Sequence, residues 1–163
     1  MHVEEAEADD IIAVIVRELS EEPTLILSSD KDFIQLQKFD NVKQWSPLQK
    51  KFIVGDPVES LFDKTIRGDT GDGVPNVLSQ DDVFVSGLRQ RPLSKKKREV
   101  IKDPLVMNDS EVDRNLKRNR SLIDLTYIPN EYKKLILDEF DNVKVAPRGG
   151  LLTYFINNRF IYF

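Results

Sequence analysis

Thr24-Leu25-Ile26-Leu27-Ser28-Ser29-Asp30-Lys31-Asp32-Phe33 is the stretch on which the fold turns. Its first part, Thr24 to Ser29, is short and nearly all apolar. Such a run reads as a buried strand of a parallel sheet, whose neighbours arrive through βαβ connections. Two aspartates follow at once, Asp30 and Asp32. That is the strand end at which α/β folds gather their ligand sites. Ser-Asp-x-Asp is also ordinary turn chemistry, so the pair alone leaves both readings open.

Working outward, residues 5–20 predict an amphipathic helix, with Ile11, Ile12, Ile15, Val16 and Leu19 at helical spacing. Glu4, Glu5, Glu7, Asp9 and Asp10 stand before it or in its first turns. The helix dipole favours acids there whether or not they do chemistry. After the strand, residues 30–38 read as a turn entering a short helix. Segments 42–45 and 51–54 read as a hairpin around Ser46-Pro47. Residues 56–67 predict a helix with Pro57 at its first position. Three glycines in Gly68-Asp69-Thr70-Gly71-Asp72-Gly73 then mark a tight, non-helical loop running to Pro75. Further helices are expected over 94–102, 110–123, 130–140 and 149–158.

The fold class is α/β. Residues 1–67 form a core of one buried strand, a hairpin and helices, and 68–163 form a mainly helical region whose last helix packs back on that core. One buried strand makes no sheet, so the core reads as incomplete at its amino end.

Composition narrows the chemistry. There is no cysteine, which removes disulfides, thiolate metal sites and cysteine nucleophiles. His2 is the only histidine and stands at the terminus, so general-base catalysis by histidine is not expected. No apolar run approaches the length of a membrane span and no signal peptide is visible, which points to a cytoplasmic protein without a membrane partner. The net charge of −4 does not advertise a nucleic-acid binder, but its distribution is uneven. Acids crowd the first third and the 69–82 segment, whereas Arg89, Arg91, Lys95, Lys96, Lys97, Arg98 and Lys102 form a basic stretch, with a weaker one at Arg114, Lys117, Arg118 and Arg120. Solvated helix faces give the same pattern.

Three acidic groups stand out: Glu7, Asp9 and Asp10; Asp30 and Asp32; Asp69 and Asp72. Helix, strand and loop can converge at one sheet edge. Gathered carboxylates repel by about 4 kcal/mol per pair at 4 Å and an effective dielectric near 20. Hard divalent cations relieve that repulsion, and an all-oxygen donor set favours Mg²⁺ or Mn²⁺ over zinc. Two such ions would serve phosphodiester chemistry and replace the absent histidine base.

Glu7-Ala8-Asp9-Asp10, Ser29-Asp30-Lys31-Asp32-Phe33 and Gly68-Asp69-Thr70-Gly71-Asp72, in that order, resemble the flap-endonuclease family of 5′-nucleases. The nearest likeness is to the RNase H-type 5′-nucleases of T-even bacteriophages. Val42-Lys43-Gln44-Trp45-Ser46-Pro47, Leu122-Ile123-Asp124, Tyr127-Ile128-Pro129 and Pro147-Arg148-Gly149 carry that likeness. The resemblance implies a PIN-like 5′-nuclease core and a metal-dependent 5′-3′ exonuclease or flap endonuclease that removes RNA primers during replication. It implies branched or 5′-flap DNA and RNA–DNA hybrid as substrates, and two Mg²⁺ (or Mn²⁺) as cofactors. It assigns Glu7 and Asp9 to the first ion, Asp30 between the ions, and Asp32, Asp69 and Asp72 to the second. Asp10 is the weakest member of the set. It places Arg89, Arg91, Lys95, Lys96, Lys97 and Arg98 on duplex DNA.

Departures from the family pattern are clear. No earlier strand ending in an aspartate and no arch over the 5′ end are recognisable, and Gly73 stands where many relatives carry asparagine. The lone chain is therefore expected to be inactive; the amino-terminal half is either supplied by a separate polypeptide, which would be one partner, or belongs to a longer chain of which this sequence is a part. The competing reading is a non-catalytic protein that binds branched DNA or a replication partner. A compact PIN-class ribonuclease is disfavoured by the helical region beyond residue 67.

Overall fold

The computed structural model describes residues 1–102, 109–144 and 148–158. Pro147 of the phage-like motif lies outside them. Helix α1 spans Ala8–Glu18 and strand β1 spans Thr24–Leu27. A 3₁₀ helix over Asp32–Lys38 leads into β2 (Val42–Ser46) and β3 (Lys51–Ile53). Then come α2 (Pro57–Arg67), α3 (Lys95–Lys102), α4 (Ser110–Ile123), α5 (Asn130–Asn142) and α6 (Leu151–Asn157). The expected helices and hairpin are all present. Asp56 caps α2, accepting from the Val58 and Glu59 amides at 2.9 Å.

The strand is less solitary and less buried than its sequence implies. β1 pairs in parallel with β2, Leu27 opposite Trp45, and β2 pairs antiparallel with β3, Trp45 opposite Phe52. The hairpin itself supplies the neighbour, so the sheet has the order β1-β2-β3. Only one face of β1 is covered. Ile26 is buried, while Leu25 and Leu27 are 52% and 66% exposed. An apolar run tells that a strand can be buried on both faces, not that both are covered here.

Beneath the inner face, Ile26 and Val42 pack with Ala13, Val14 and Val16 of α1, with Phe33 and Leu36, and with Ile128 and Ile136. The expected return of the last helix to the core is thus made by α5, through Ile136, whereas α6 buries none of its residues. Periodicity cannot choose between two carboxyl-terminal helices; α5 wins because its Ile136 reaches the α1 core.

A second apolar cluster joins Ile66, Val77, Ile101 and Val112, with Phe62 and Leu116 against it. Helix α2 packs on both the 3₁₀ helix and α4, and so links the two clusters. The buried face of α4 contains two asparagines, Asn115 and Asn119, both fully buried. Asn115 donates to the Val77 and Ser79 carbonyls. Asn119 donates to the carbonyls of Thr65 and Pro75, each at 2.8 Å. It thereby ties the end of α2 to the end of the glycine-rich loop.

Asn119→Ala leaves both carbonyls buried without that donor. It should lower stability by about 2–3 kcal/mol, read by urea unfolding with an unchanged slope. A loss under about 0.5 kcal/mol, in the range of an ordinary surface change, would mean that the asparagine does not hold the loop.

Candidate metal centre

The site is built from three local pieces. The first is the start of α1. Asp10 reaches back so that its carboxylate accepts from the Glu7 amide at 3.1 Å. This is a helix cap and accounts for Asp10 structurally. Asp9, one residue earlier, is left facing the site.

The second piece is the turn after β1. The Ser28 hydroxyl accepts from the Asp30 amide, and the Asp30 carboxylate accepts from the Asp32 amide at 2.9 Å. Fully buried Gln44 donates to the carbonyls of both Ser28 and Asp30. Gln37 in turn donates to the Gln44 side-chain oxygen. The Ser29 and Ser46 hydroxyls meet at 2.7 Å. A glutamine on the inner face of β2 thus fixes the backbone that carries Asp30. The turn chemistry is real, and the same turn aims both aspartates.

The third piece is the glycine-rich loop. Gly68 has φ 70°, and a Cβ there would lie 2.3 Å from the Val74 carbonyl oxygen, so only glycine fits. Asp69 and Val74 exchange backbone hydrogen bonds of 2.8 and 2.7 Å, closing the loop. The Asp69 carboxylate accepts from the Gly71 amide at 2.9 Å.

These pieces meet. Oxygens of Asp9, Asp30 and Asp32 all lie within 4.8 Å of one another. Glu7, Asp9, Asp32 and Asp72 share one small cleft with Asp10 and Lys64. Asp69 joins through Lys64, whose Nζ is paired with Asp32 and lies 2.8 Å from Asp69. All six expected acids are therefore at one end of the sheet. An all-carboxylate cluster of this spacing fits a hard divalent cation and has no donor suited to a soft one.

The electrostatics follow from the crowding. Burial, then Asp30 and Asp32, and then Glu7 and Asp10, push the Asp9 carboxyl up to about 6. Burial alone would lower the Lys64 ammonium, but its bonds to Asp32 and Asp69 outweigh that and raise it. Lys64 in turn holds the Asp69 carboxyl below the usual range. Lys64 is the side chain at the site that sequence reasoning missed. It stands in the last turn of α2, where a lysine needs no special explanation. Only the packing of α2 on the 3₁₀ helix brings it to the acids.

The basic stretch is less uniform than its sequence. Arg89, Arg91, Lys95, Lys96 and Lys97 are exposed. Arg98 is half-buried and pairs with Asp63 of α2 at 3.1 Å. Its charge is partly spent inside the fold. In the weaker group, Arg114 and Arg118 both pair with Asp81.

Asp9 sets a pH dependence of known sign. Between its ordinary value of 3.8 and its value of about 6 here, the folded chain keeps a proton that the unfolded chain has released. Stability from this group therefore falls as pH climbs through that window. Asp9 is half-buried, so solvent screening trims the effect to about 1 kcal/mol. In a chelator, Asp9→Asn should stabilise the fold by about that much near pH 7.5 and hardly at all near pH 3.5, by urea unfolding. Equal effects at both pH values would remove the crowding explanation.

Comparison with known proteins agrees with this geometry. A family model described as T4 RNase H, C terminal, matches residues 55–161. The chain is 36% identical over 169 residues to ribonuclease H of Enterobacteria phage T4, covering 96% of this chain and 55% of that protein. It thus spans about half the length of this curated relative. A solved mutant T5 5′-exonuclease superposes with a TM-score of 0.58 at 20% identity, over 86% of this chain and 68% of that one, a likeness of fold. The acids gathered at the end of β1 and the match across most of the later chain lead to one conclusion: this chain belongs to the T4 RNase H family, whose C-terminal domain it carries.

Proposed function

We propose that the chain is the carboxyl-terminal part of a metal-dependent 5′-3′ exonuclease and flap endonuclease, which removes RNA primers and flaps at 5′ ends and needs an amino-terminal segment to do so. The observation that carries this reading is the convergence of Asp9, Asp30 and Asp32 within 4.8 Å in a chain of this family.

In the reaction a water oxygen bonds to phosphorus, the phosphorus–oxygen ester bond breaks, and the departing sugar oxygen takes a proton. Two Mg²⁺ (or Mn²⁺) ions would be held here, one by Glu7 and Asp9 and the other by Asp32, Asp69 and Asp72, with Asp30 available to both; they would supply water activation and charge neutralisation at the phosphate. The chain's own residues do the positioning. Gln44 fixes the Asp30 backbone. Gly68 lets the loop close so that Asp69 reaches Lys64. Lys64 keeps Asp32 and Asp69 together against their repulsion. Arg89, Arg91 and Lys95 to Lys97 lie along the phosphates of branched or 5′-flap DNA or an RNA–DNA hybrid, giving grip without sequence reading. Arg98 contributes less, because Asp63 already holds it.

The test uses a 5′-flap duplex with Mg²⁺. The chain alone should cut little. Mixed with the part of the T4 protein that lies outside the match, it should cut, and Asp30→Asn should abolish that cutting while DNA binding stays within about threefold, since size and fold are kept. Cutting by Asp30→Asn at the normal rate would sink the assignment. Uncut flaps with intact DNA binding in every mixture would favour the non-catalytic binding protein.

The basic face has its own test. If Lys95, Lys96 and Lys97 each neutralise one duplex phosphate, together they supply about −2.7 to the slope of log K against log salt. Replacing all three by alanine should flatten the slope by roughly that amount, equally for unrelated sequences. A folded variant with an unchanged slope would return these lysines to ordinary solvated charge.

A further inference from the structure

The segment that carries Arg89 and Arg91 has no regular structure, yet its backbone is held. The Arg91 amide donates to the Ser79 hydroxyl at 2.9 Å, and the Arg91 carbonyl accepts from the Asn76 side-chain amide at 2.9 Å. The Ser79 hydroxyl donates in turn to the Asn76 side-chain oxygen at 3.0 Å, so the two side chains act as one clamp. Gln90 reaches back from the segment itself. Its side-chain oxygen accepts from the Asn76 backbone amide at 2.7 Å, and its nitrogen lies 3.5 Å from the Thr70 hydroxyl. Asn76 and Ser79 are buried, and the Ser79 carbonyl accepts from Asn115 of α4.

Core packing gives no reason for this clamp. Leu88, Arg89, Arg91 and Pro92 are all exposed, and the segment first meets the second apolar cluster at Leu93. A buried asparagine needs partners, but not partners on an exposed segment 15 positions away. What the clamp holds in place is two guanidinium groups whose charge is free. Arg98, Arg114 and Arg118 are tied up in ion pairs, whereas Arg89 and Arg91 form none among the described residues. The base of the clamp is also the stem of the metal-site loop. Asn76 comes just after Val74 and Pro75, and the Val74 backbone closes that loop on Asp69. Thr70 lies inside the same loop.

We infer that Asn76, Ser79 and Gln90 are positioning residues for nucleic-acid binding. They fix Arg89 and Arg91 to the stem of the loop that bears Asp69 and Asp72, so that phosphate contacts are made at a set place relative to the acids. A flexible basic segment would have to be ordered when DNA binds, and that ordering costs binding free energy; this segment is ordered beforehand. The clamp holds the Arg91 backbone and the Gln90 side chain, so both arginine side chains keep their charge for phosphates. Contacts of that kind set the register of the duplex and read no bases. The inference rests on the proposed function only for the placing of Arg89 and Arg91 on the phosphates.

The experiment is duplex binding by the whole chain in chelator, read by fluorescence anisotropy over a range of salt, so that cleavage plays no part. If Arg89 and Arg91 each neutralise one phosphate, Arg89→Ala with Arg91→Ala should flatten the slope of log K against log salt by about 1.8. Ser79→Ala with Gln90→Ala keeps both arginines but removes the acceptors of the Arg91 and Asn76 amides. It should flatten the slope by at least about 0.9, half the arginine effect. Added to the chain that lacks both arginines, the same pair should leave the slope nearly unchanged, because it acts through them. Urea unfolding verifies that the variants are folded. Should the Ser79 and Gln90 pair not fold, Gln90→Ala alone decides, since Gln90 is only half-buried, with a flattening of at least about 0.5 expected. A folded clamp variant with the unaltered slope overturns the inference. Equal flattening with and without the arginines also overturns it, and would make the clamp a general support of the fold. If removing the arginines leaves the slope unchanged, their place on the phosphates falls and the inference with it, while the metal-site reading stands.

Discussion

Lys64 lies between Asp32 and Asp69, and much of the site depends on that bridge. The acids come from three separate elements, and without a compensating charge they would push those elements apart. A carboxylate pair at 4 Å repels by about 4 kcal/mol at an effective dielectric near 20. One ammonium shared by two carboxylates offsets part of this and ties the turn after β1 to the glycine-rich loop. Asp9 pairs with no cation among the described residues, and its carboxyl is raised first by burial and then by the neighbouring acids. Lys64 is one positive charge among six carboxylates, so the cluster stays strongly negative.

Holding the loop in place falls to helix α4. Asn115 and Asn119 use their amides to bind four backbone carbonyls of the loop and its surroundings. Their burial would be costly without those bonds, so α4 docks in one register only. Arg118 adds a bond to the Pro75 carbonyl on the same side. Asp124, at the end of α4, is pushed up by burial but held below the ordinary range by Thr126 and Arg120. Nearby, Gln35 of the 3₁₀ helix spans the Ile123 carbonyl and the Leu125 amide. The helical region therefore bonds to both the loop and the core, and the acids of each are brought to one cleft.

How much of this was legible beforehand follows from where each signal lives. Helix and hairpin positions were readable because they are written in local periodicity, capping residues and prolines. The three acidic motifs were readable through their order along the chain. Lys64 was not, since its neighbours in sequence give it no reason to differ from other lysines. Arg98 read as a free phosphate contact because its partner, Asp63, is 35 positions away. The two asparagines of α4 left a faint sign: polar residues four apart in an otherwise apolar stripe. That pattern signals a buried bond but not what it bonds to.

The sequence by itself determined the elements, the order of the acidic motifs and the lack of any cysteine in these residues, because these depend only on residue type and short spacing. Tertiary structure alone decided which charges meet, which helix returns to the core and which face of the sheet stays open. Those outcomes rest on contacts between residues tens of positions apart, and neither propensity nor charge counting carries that distance. The apolar run of β1 makes the point most directly. Its composition is the same whether one face is covered or two, and only the packing shows Ile26 inside with Leu25 and Leu27 out.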